Sequence, residues 1–238
     1  MPWEKLGLLW APADEAPWAR SHATLPVVHA PSPGTWNVLL SCRDAAGKSR
    51  IGRLAATVDD RPRAGLFDPT PVLDLGAPGT FDDSGVMPGW LVDGGDELRL
   101  YYIGWNVVGT VPYRLSIGLA ASRDGGATFA RVSAGPVLDR SAAEPYFVTA
   151  PCVLREGDLW RMWYVSCTGW TQIDGRWEPQ YHVKYAESAD GVGWRPTGRS
   201  CIEAAAGEAI GRPYVLRPDA GGYGMLYSRR ALGGYRDQ

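Results

Sequence analysis

Four segments of the chain repeat one pattern: a proline, a short apolar stretch, a turn, and an aromatic-rich alternating run. The anchors are Pro26, Pro88, Pro151 and Pro213, spaced 62, 63 and 62 residues apart. Three nearly equal intervals, in a chain without low-complexity sequence, mark a repeat architecture, which constrains the fold more tightly than local propensity does.

Strands can be counted inside each unit. In the third, residues 150–154 read as a short first strand that turns at Glu156-Gly157-Asp158. Residues 159–166 then alternate, with Trp160, Met162 and Tyr164 on one face and Arg161 and Trp163 on the other. A third strand covers 181–187, and a fourth starts at Trp194 after the turn Asp190-Gly191. The second unit follows the same order through 89–92, 97–105, 114–122 and 129–132. Four antiparallel strands per unit without helical periodicity predict an all-β fold, a β-propeller of four-stranded antiparallel blades. Composition agrees. Eleven Trp and eleven Tyr against four Phe suit pleated, half-buried surfaces, and 30 Gly with 19 Pro supply many turns.

Ser122-Arg123-Asp124-Gly125-Gly126-Ala127-Thr128-Phe129 matches the Asp-box pattern, and Ser188-Ala189-Asp190-Gly191-Val192-Gly193-Trp194 is a relative one residue shorter. The expected role is structural: the aspartate accepts backbone N–H bonds in a tight turn and the aromatic plugs between strands. Residues 3–10 read as an outer strand that closes a ring. Five blades of this length need about 310 residues against the 238 present, so the expectation is a single propeller domain over 1–238 with about three and a half blades. The ring is then incomplete at its C-terminal side, left open, or completed by another chain. An open ring leaves the edge at 223–228 unpaired, which invites a homo-oligomer through that edge. A four-bladed ring is the alternative, but it lacks a partner strand for 223–228.

Charge excludes other classes. The 24 basic and 26 acidic residues give a net charge of −2 with no basic block, so no nucleic-acid partner is expected. No apolar run is long enough for a membrane span, and charges interrupt the first ten residues where a secretion signal would be apolar, so a cytoplasmic location is expected. Cys42, Cys152, Cys167 and Cys201 lack metal-ligand spacing and read as free buried thiols. No metal or cofactor is expected.

Several stretches carry a family resemblance: Ser21-His22-Ala23, Arg43-Asp44, Ser49-Arg50-Ile51-Gly52, LDLGAPGTFDDSGVMPGW at 73–90, YYIGWN at 101–106, EPYF at 144–147, RMWYVSCTGW at 161–170 and YHVKYAES at 181–188. Together they resemble bacterial five-bladed β-propeller proteins labelled glycosyl hydrolase family 32- or 43-like, in the glycosidase superfamily of β-fructosidases, arabinanases and mannoside phosphorylases. The resemblance covers the whole chain. It implies a carbohydrate-active protein whose innermost strands line a central funnel on which acids converge.

Glycosidic bond cleavage needs one carboxyl to protonate the leaving oxygen and another to activate water or attack carbon. Asp83 stands five residues before Pro88, Glu144 seven before Pro151 and Glu208 five before Pro213, with Asp82 competing with Asp83. These acids are catalytic candidates, or else caps of inter-blade turns. The resembling hydrolases carry a catalytic Asp in the first blade, where this chain has Ser21 and His22. His22 is read as a base or sugar-orienting residue, or as a satisfied turn histidine. Arg212, just before Pro213, is placed to keep Glu208 ionised or to hold a phosphate or carboxylate bidentately, and Arg43 offers a further cation. Arg50 joins Arg43 as a second basic pair in the first blade, or else only salt-bridges Asp44. Trp105, Tyr113, Tyr146, Trp170 and Tyr181 are read as sugar-stacking platforms or blade-packing residues. Two functions follow: a glycoside hydrolase acting through funnel carboxylates, or a propeller that binds a glycan or sugar phosphate without cleaving it. An inactive incomplete module is the third reading.

Overall fold

The structure is a computed structural model that describes residues 4–218 and 221–232. Every regular element in it is a β-strand, and the strands form successive antiparallel sheets in chain order. The first contains β1 (Ser21–Ser32), β2 (Thr35–Arg43), β3 (Ser49–Val58) and β4 (Pro62–Phe67). The second contains β5 (Gly85–Asp93), β6 (Leu98–Val107), β7 (Tyr113–Ser122) and β8 (Ala130–Arg131). In the third are β9 (Val148–Glu156), β10 (Leu159–Ile173), β11 (Arg176–Ser188) and β12 (Arg195–Ile202). A last pair, β13 (Glu208–Leu216) and β14 (Gly224–Ala231), starts a fourth. The first two sheets touch through a single parallel pair, Ser49 with Gly85.

Alternation along each strand explains why the sheets stack face to face. Side chains of successive residues leave opposite faces, so each blade can feed two cores. Tyr102 enters the core between the first and second sheets with Leu39 and Ile51, whereas Tyr101 enters the next with Val153 and Met162. Met162 and Trp163 divide in the same way, and Trp163 joins Ile210 and Val215 of the fourth sheet. The outer face of the first sheet is covered by Trp10, Trp18 and Phe67.

The prolines explain the axis. Every inner strand is irregular at its anchor: pairing shifts between Thr24 and Val27, Pro88 and Trp90, Thr149 and Cys152, and Gly211 and Tyr214. Proline has no N–H for a ladder, so a bulge is where a strand tolerates it. Leu25, Ala150 and Arg212, each immediately before its proline, adopt left-handed backbone with φ of 54°, 44° and 49°. All four prolines then line one cavity, which places the inner strands around a common axis and makes the fold an all-β propeller.

Some expectations need correction. Residues 4–10 form no strand, and Met1 to Trp3 lie outside the described residues. Trp10 instead stacks on Phe67 with ring centroids 4.7 Å apart, so this segment contributes apolar cover rather than a sheet edge. The β10–β11 hairpin extends well beyond 166 and 181, in continuous pairing from Trp160–Ser188 to Ile173–Arg176 apart from one shift near Gly169. Cys42, Cys152 and Cys167 are buried thiols, and burial pushes each up to about 12, but Cys201 is exposed.

Candidate functional site

A cavity of about 690 Å³ opens on the axis beside the proline-lined one. All four sheets contribute to its wall, and it shares Leu25, Ile103, Ala150, Arg212 and Ser228 with its neighbour. The residue preceding each anchor proline points into it: Leu25, Met87, Ala150 and Arg212. Aromatic rings gather on one side. Tyr113, Phe147 and Tyr181 line the wall, and Trp170, from the extended β10–β11 hairpin, braces them at 5.3 Å from Tyr113 and 5.7 Å from Phe147. Trp105 also lines the cavity, and its Nε1 donates to Ser49 Oγ at 2.8 Å, tying the second blade to the first. Gly85 makes this bond feasible, because a Cβ there would collide with both partners.

Three arginines line the same space: Arg43 at the end of β2, Arg212 on β13 and Arg230 on β14. Arg230 is nearly fully buried and committed, donating to Glu178 Oε2, the Pro179 carbonyl and Tyr181 Oη at 3.2, 3.0 and 3.0 Å while lying over the Tyr181 ring. Among the described residues Arg212 donates only to the Pro26 carbonyl, at 2.9 Å, which links the fourth inner strand to the first. It is exposed to the cavity yet crowded by protein on its other sides, and burial without a carboxylate partner pulls its guanidinium below the ordinary value. The Arg43 guanidinium has no hydrogen bond or ion pair among the described residues.

No carboxylate lines this cavity among the described residues. Asp83 sits before β5, half-buried, and accepts from the Gly79 N–H, the Asn106 amide and the Ser84 hydroxyl at 2.9, 2.8 and 3.0 Å. Partial burial works to raise its pKa, but these donors and the Lys48 charge outweigh it and hold the carboxyl below its ordinary value. Glu144 is fully buried. Its Oε1 accepts from Tyr164 Oη at 2.9 Å and pairs with Lys184 Nζ at 3.1 Å, while Ser166 donates to Oε2. Asp82 is its counterpart one repeat earlier: equally buried, it accepts from Tyr102 at 2.9 Å, Thr80 at 2.8 Å and the Arg131 guanidinium at 2.8 Å. In both blades the tyrosine lies 20 residues after the acid. Glu208 opens β13 beside Arg229, 3.6 Å away.

The structure therefore brings Arg43, Arg212, Trp105 and Tyr181 together in one cavity, with Trp170 behind them. Asp82, Asp83, Glu144, Glu208, His22 and Tyr146 are not on its wall. His22 is exposed at the start of β1, with φ of 64° and Nδ1 2.9 Å from Ser21 Oγ. Tyr146 is exposed, and the adjacent Phe147 faces inward. Arg50 is held between Asp44 and Asp74 at 2.8 and 2.7 Å. Sequence reasoning missed Phe147 and Arg230. The first required knowing which of two adjacent aromatics turns inward, and the second required the β13–β14 register that sets Arg230 opposite Ala209. No helix is long and apolar enough to cross a membrane, and no metal-binding group of His, Cys, Asp or Glu is found among the described residues.

This architecture is the β-propeller of the family-43 and family-32 glycoside hydrolases. The chain superposes on a thermostable family-43 glycoside hydrolase (TM-score 0.61, 16% identity, covering 88% of this chain and 66% of that one). An endo-arabinase from Bacteroides thetaiotaomicron VPI-5482 gives TM-score 0.61 at 16% identity, covering 97% and 79%. The Bombyx mori GH32 β-fructofuranosidase BmSUC1 gives 0.60 at 20% identity, covering 87% and 44%. No family model matches the chain. By sequence, it is 39% identical over 232 residues to Uncharacterized protein Rv1502 of Mycobacterium tuberculosis (strain ATCC 25618 / H37Rv), covering 97% of this chain and 76% of the relative. The chain belongs to the family of that protein.

Proposed function

We propose that the chain forms a carbohydrate-recognising propeller domain whose axial cavity binds a sugar on Trp105, Tyr113 and Tyr181, with the candidate acids in supporting positions. One observation carries this reading: the cavity draws on all four repeats and offers aromatic rings and arginines, but no carboxylate among the described residues. Sugar rings present C–H faces that pack on aromatic planes, and a cavity of this size suits a mono- or disaccharide. Glycosidic cleavage would need two carboxyls facing each other across the substrate. Asp82 and Glu144 are instead covered by their own blades.

Asp83 favours a second, catalytic reading. Its carboxyl is held ionised by its donors and is not fully buried, as a base or nucleophile requires. Glu208 would then supply the second acid. A screen of aryl-glycosides and oligosaccharides separates the two, run on the wild type, Asp83→Ala and Glu208→Ala. Binding measured by saturation-transfer NMR, without turnover, supports recognition alone. Turnover that falls at least about 100-fold in Asp83→Ala makes the protein a glycosidase.

A further inference from the structure

We infer that the cavity is built for a sugar bearing an oxyanion, a phosphate or a carboxylate, and that Arg43 and Arg212 are its anion-binding residues. This rests on the carbohydrate reading above and narrows it to a substrate class.

The argument begins with the repeat. The fold delivers the residue before each anchor proline to the axis, and three of the four blades put an uncharged side chain there: Leu25, Met87 and Ala150. The left-handed backbone at Arg212 is shared with Leu25 and Ala150, so it belongs to the blade and does not require an arginine. An arginine at this position is therefore not needed to make the strand. Nor does Arg212 neutralise an acid among the described residues, where its one bond goes to the Pro26 carbonyl.

Arg43 departs from the local rule in the same direction. Arg50, Arg53, Arg131 and Arg161 are also half-buried in the blades, and each holds a carboxylate, while Arg114 donates to the Asn106 amide oxygen. Arg43 holds none among the described residues, although it too is only partly exposed. Both guanidinium groups, neither ion-paired among the described residues, flank the inner strand of the first blade: Arg43 pairs with Ser21 of β1, and Arg212 bonds to Pro26 of β1. A guanidinium offers five N–H donors in a planar fork that matches phosphate and carboxylate oxygens, and it is desolvated at low cost only when an anion meets it. Arg230 completes the wall but already carries Glu178, so its role is to fix Tyr181. The protein as a whole has a net charge of −2, so a cavity with, among the described residues, two cations lacking an ion pair and no lining acid is a local feature rather than a general basic character.

Titration calorimetry on the full chain tests this with four probes: a hexose, its 6-phosphate, the matching hexuronate, and inorganic phosphate, each at low and physiological salt. The charged sugars are expected to bind at least about tenfold tighter than the hexose and to weaken with salt. Arg43→Gln and Arg212→Gln are each expected to lower charged-sugar affinity roughly 10- to 100-fold and leave hexose binding within about threefold. Arg195→Gln, an exposed arginine on β12, controls for net charge and is expected to change nothing. The ratio of 6-phosphate to hexuronate affinity decides which oxyanion the fork accepts. Equal binding of hexose and charged sugars overturns the anion inference and leaves carbohydrate recognition standing. Inorganic phosphate binding as tightly as the sugar phosphate, with no hexose binding, retains the arginine site and overturns carbohydrate recognition. If no probe binds, both fail.

Discussion

The carboxylates wedged beneath the second and third blades and the arginines on the axis handle charge in opposite ways. Asp82 and Glu144 are fully buried, and each is met by a tyrosine hydroxyl, a second hydroxyl and a cation. Arg43 and Arg212 face a cavity, with one backbone carbonyl between them as partner. A buried charge met by three donors serves the fold, because removing it strands them and removing one of them weakens the rest. A charge left open in a cavity contributes little to folding and remains available to a ligand. The comparison separates acids that hold blades together from cations left for function, and substitution can test each half.

The largest effect is expected at Glu144. Glu144→Ala leaves Lys184, Tyr164 and Ser166 without their shared acceptor, and losing one partner of a buried pair costs about 3–5 kcal/mol. Urea unfolding of the two proteins measures this, and a loss below about 1 kcal/mol would show the network to be dispensable. Asp82→Asn should cost less, about 1–3 kcal/mol, since the amide oxygen still accepts from Tyr102 and Arg131 is partly solvated. If the order of the two substitutions is reversed, the second blade and not the third carries the stronger network.

The next effect is a pH dependence. In the turn at 188–194 the Gly193 N–H, the Val192 N–H and the Ser188 hydroxyl hold the Asp190 carboxyl at about 2, below its ordinary 3.8. Because the folded value lies below the unfolded one, this stabilisation is complete above about pH 4 and is lost as pH falls toward 2. Asp124 in the preceding blade is shifted in the same direction, by the Thr128 hydroxyl and N–H and the Ser122 hydroxyl. Asp190→Asn keeps an acceptor oxygen but cannot titrate, so its urea midpoint should fall less steeply across that window than the wild type's. Parallel curves would mean that the charge plays no part in the turn.

How much of this was legible in sequence follows from the range of each signal. The repeat and its alternation survive any local ambiguity, so the four inner strands and the stacking of sheets could be read from Pro26, Pro88, Pro151 and Pro213. Period-2 patterns also put Met162 and Trp163 on opposite faces, and the two faces enter different cores. Adjacent acids could not be separated: Asp82 and Asp83 differ by one position, and one position turns a side chain from the interior to the rim. The extended β10–β11 hairpin did carry a local signal that went unused. Asp174-Gly175 has positive φ at both residues, 49° and 75°, as a two-residue hairpin turn requires. The place of residues 4–10 had no such signal, because a tryptophan stacking on Phe67 satisfies the same apolar pattern as a strand would.

The smallest expected effect is the one that completes the contrast. Arg43→Gln and Arg212→Gln should each change the unfolding free energy by less than about 1 kcal/mol, because neither cation is ion-paired among the described residues and the lost bond to Pro26 is one backbone acceptor at an open cavity. Thermal and urea unfolding of both variants, beside Glu144→Ala, reads this directly. A loss at Arg212 as large as that at Glu144 would mean that the Pro26 contact fastens the fourth inner strand to the first, and the arginine would belong with the acids as structure. A loss confined to ligand affinity keeps the two signs of charge in their separate roles: anions spent between the blades, cations held on the axis.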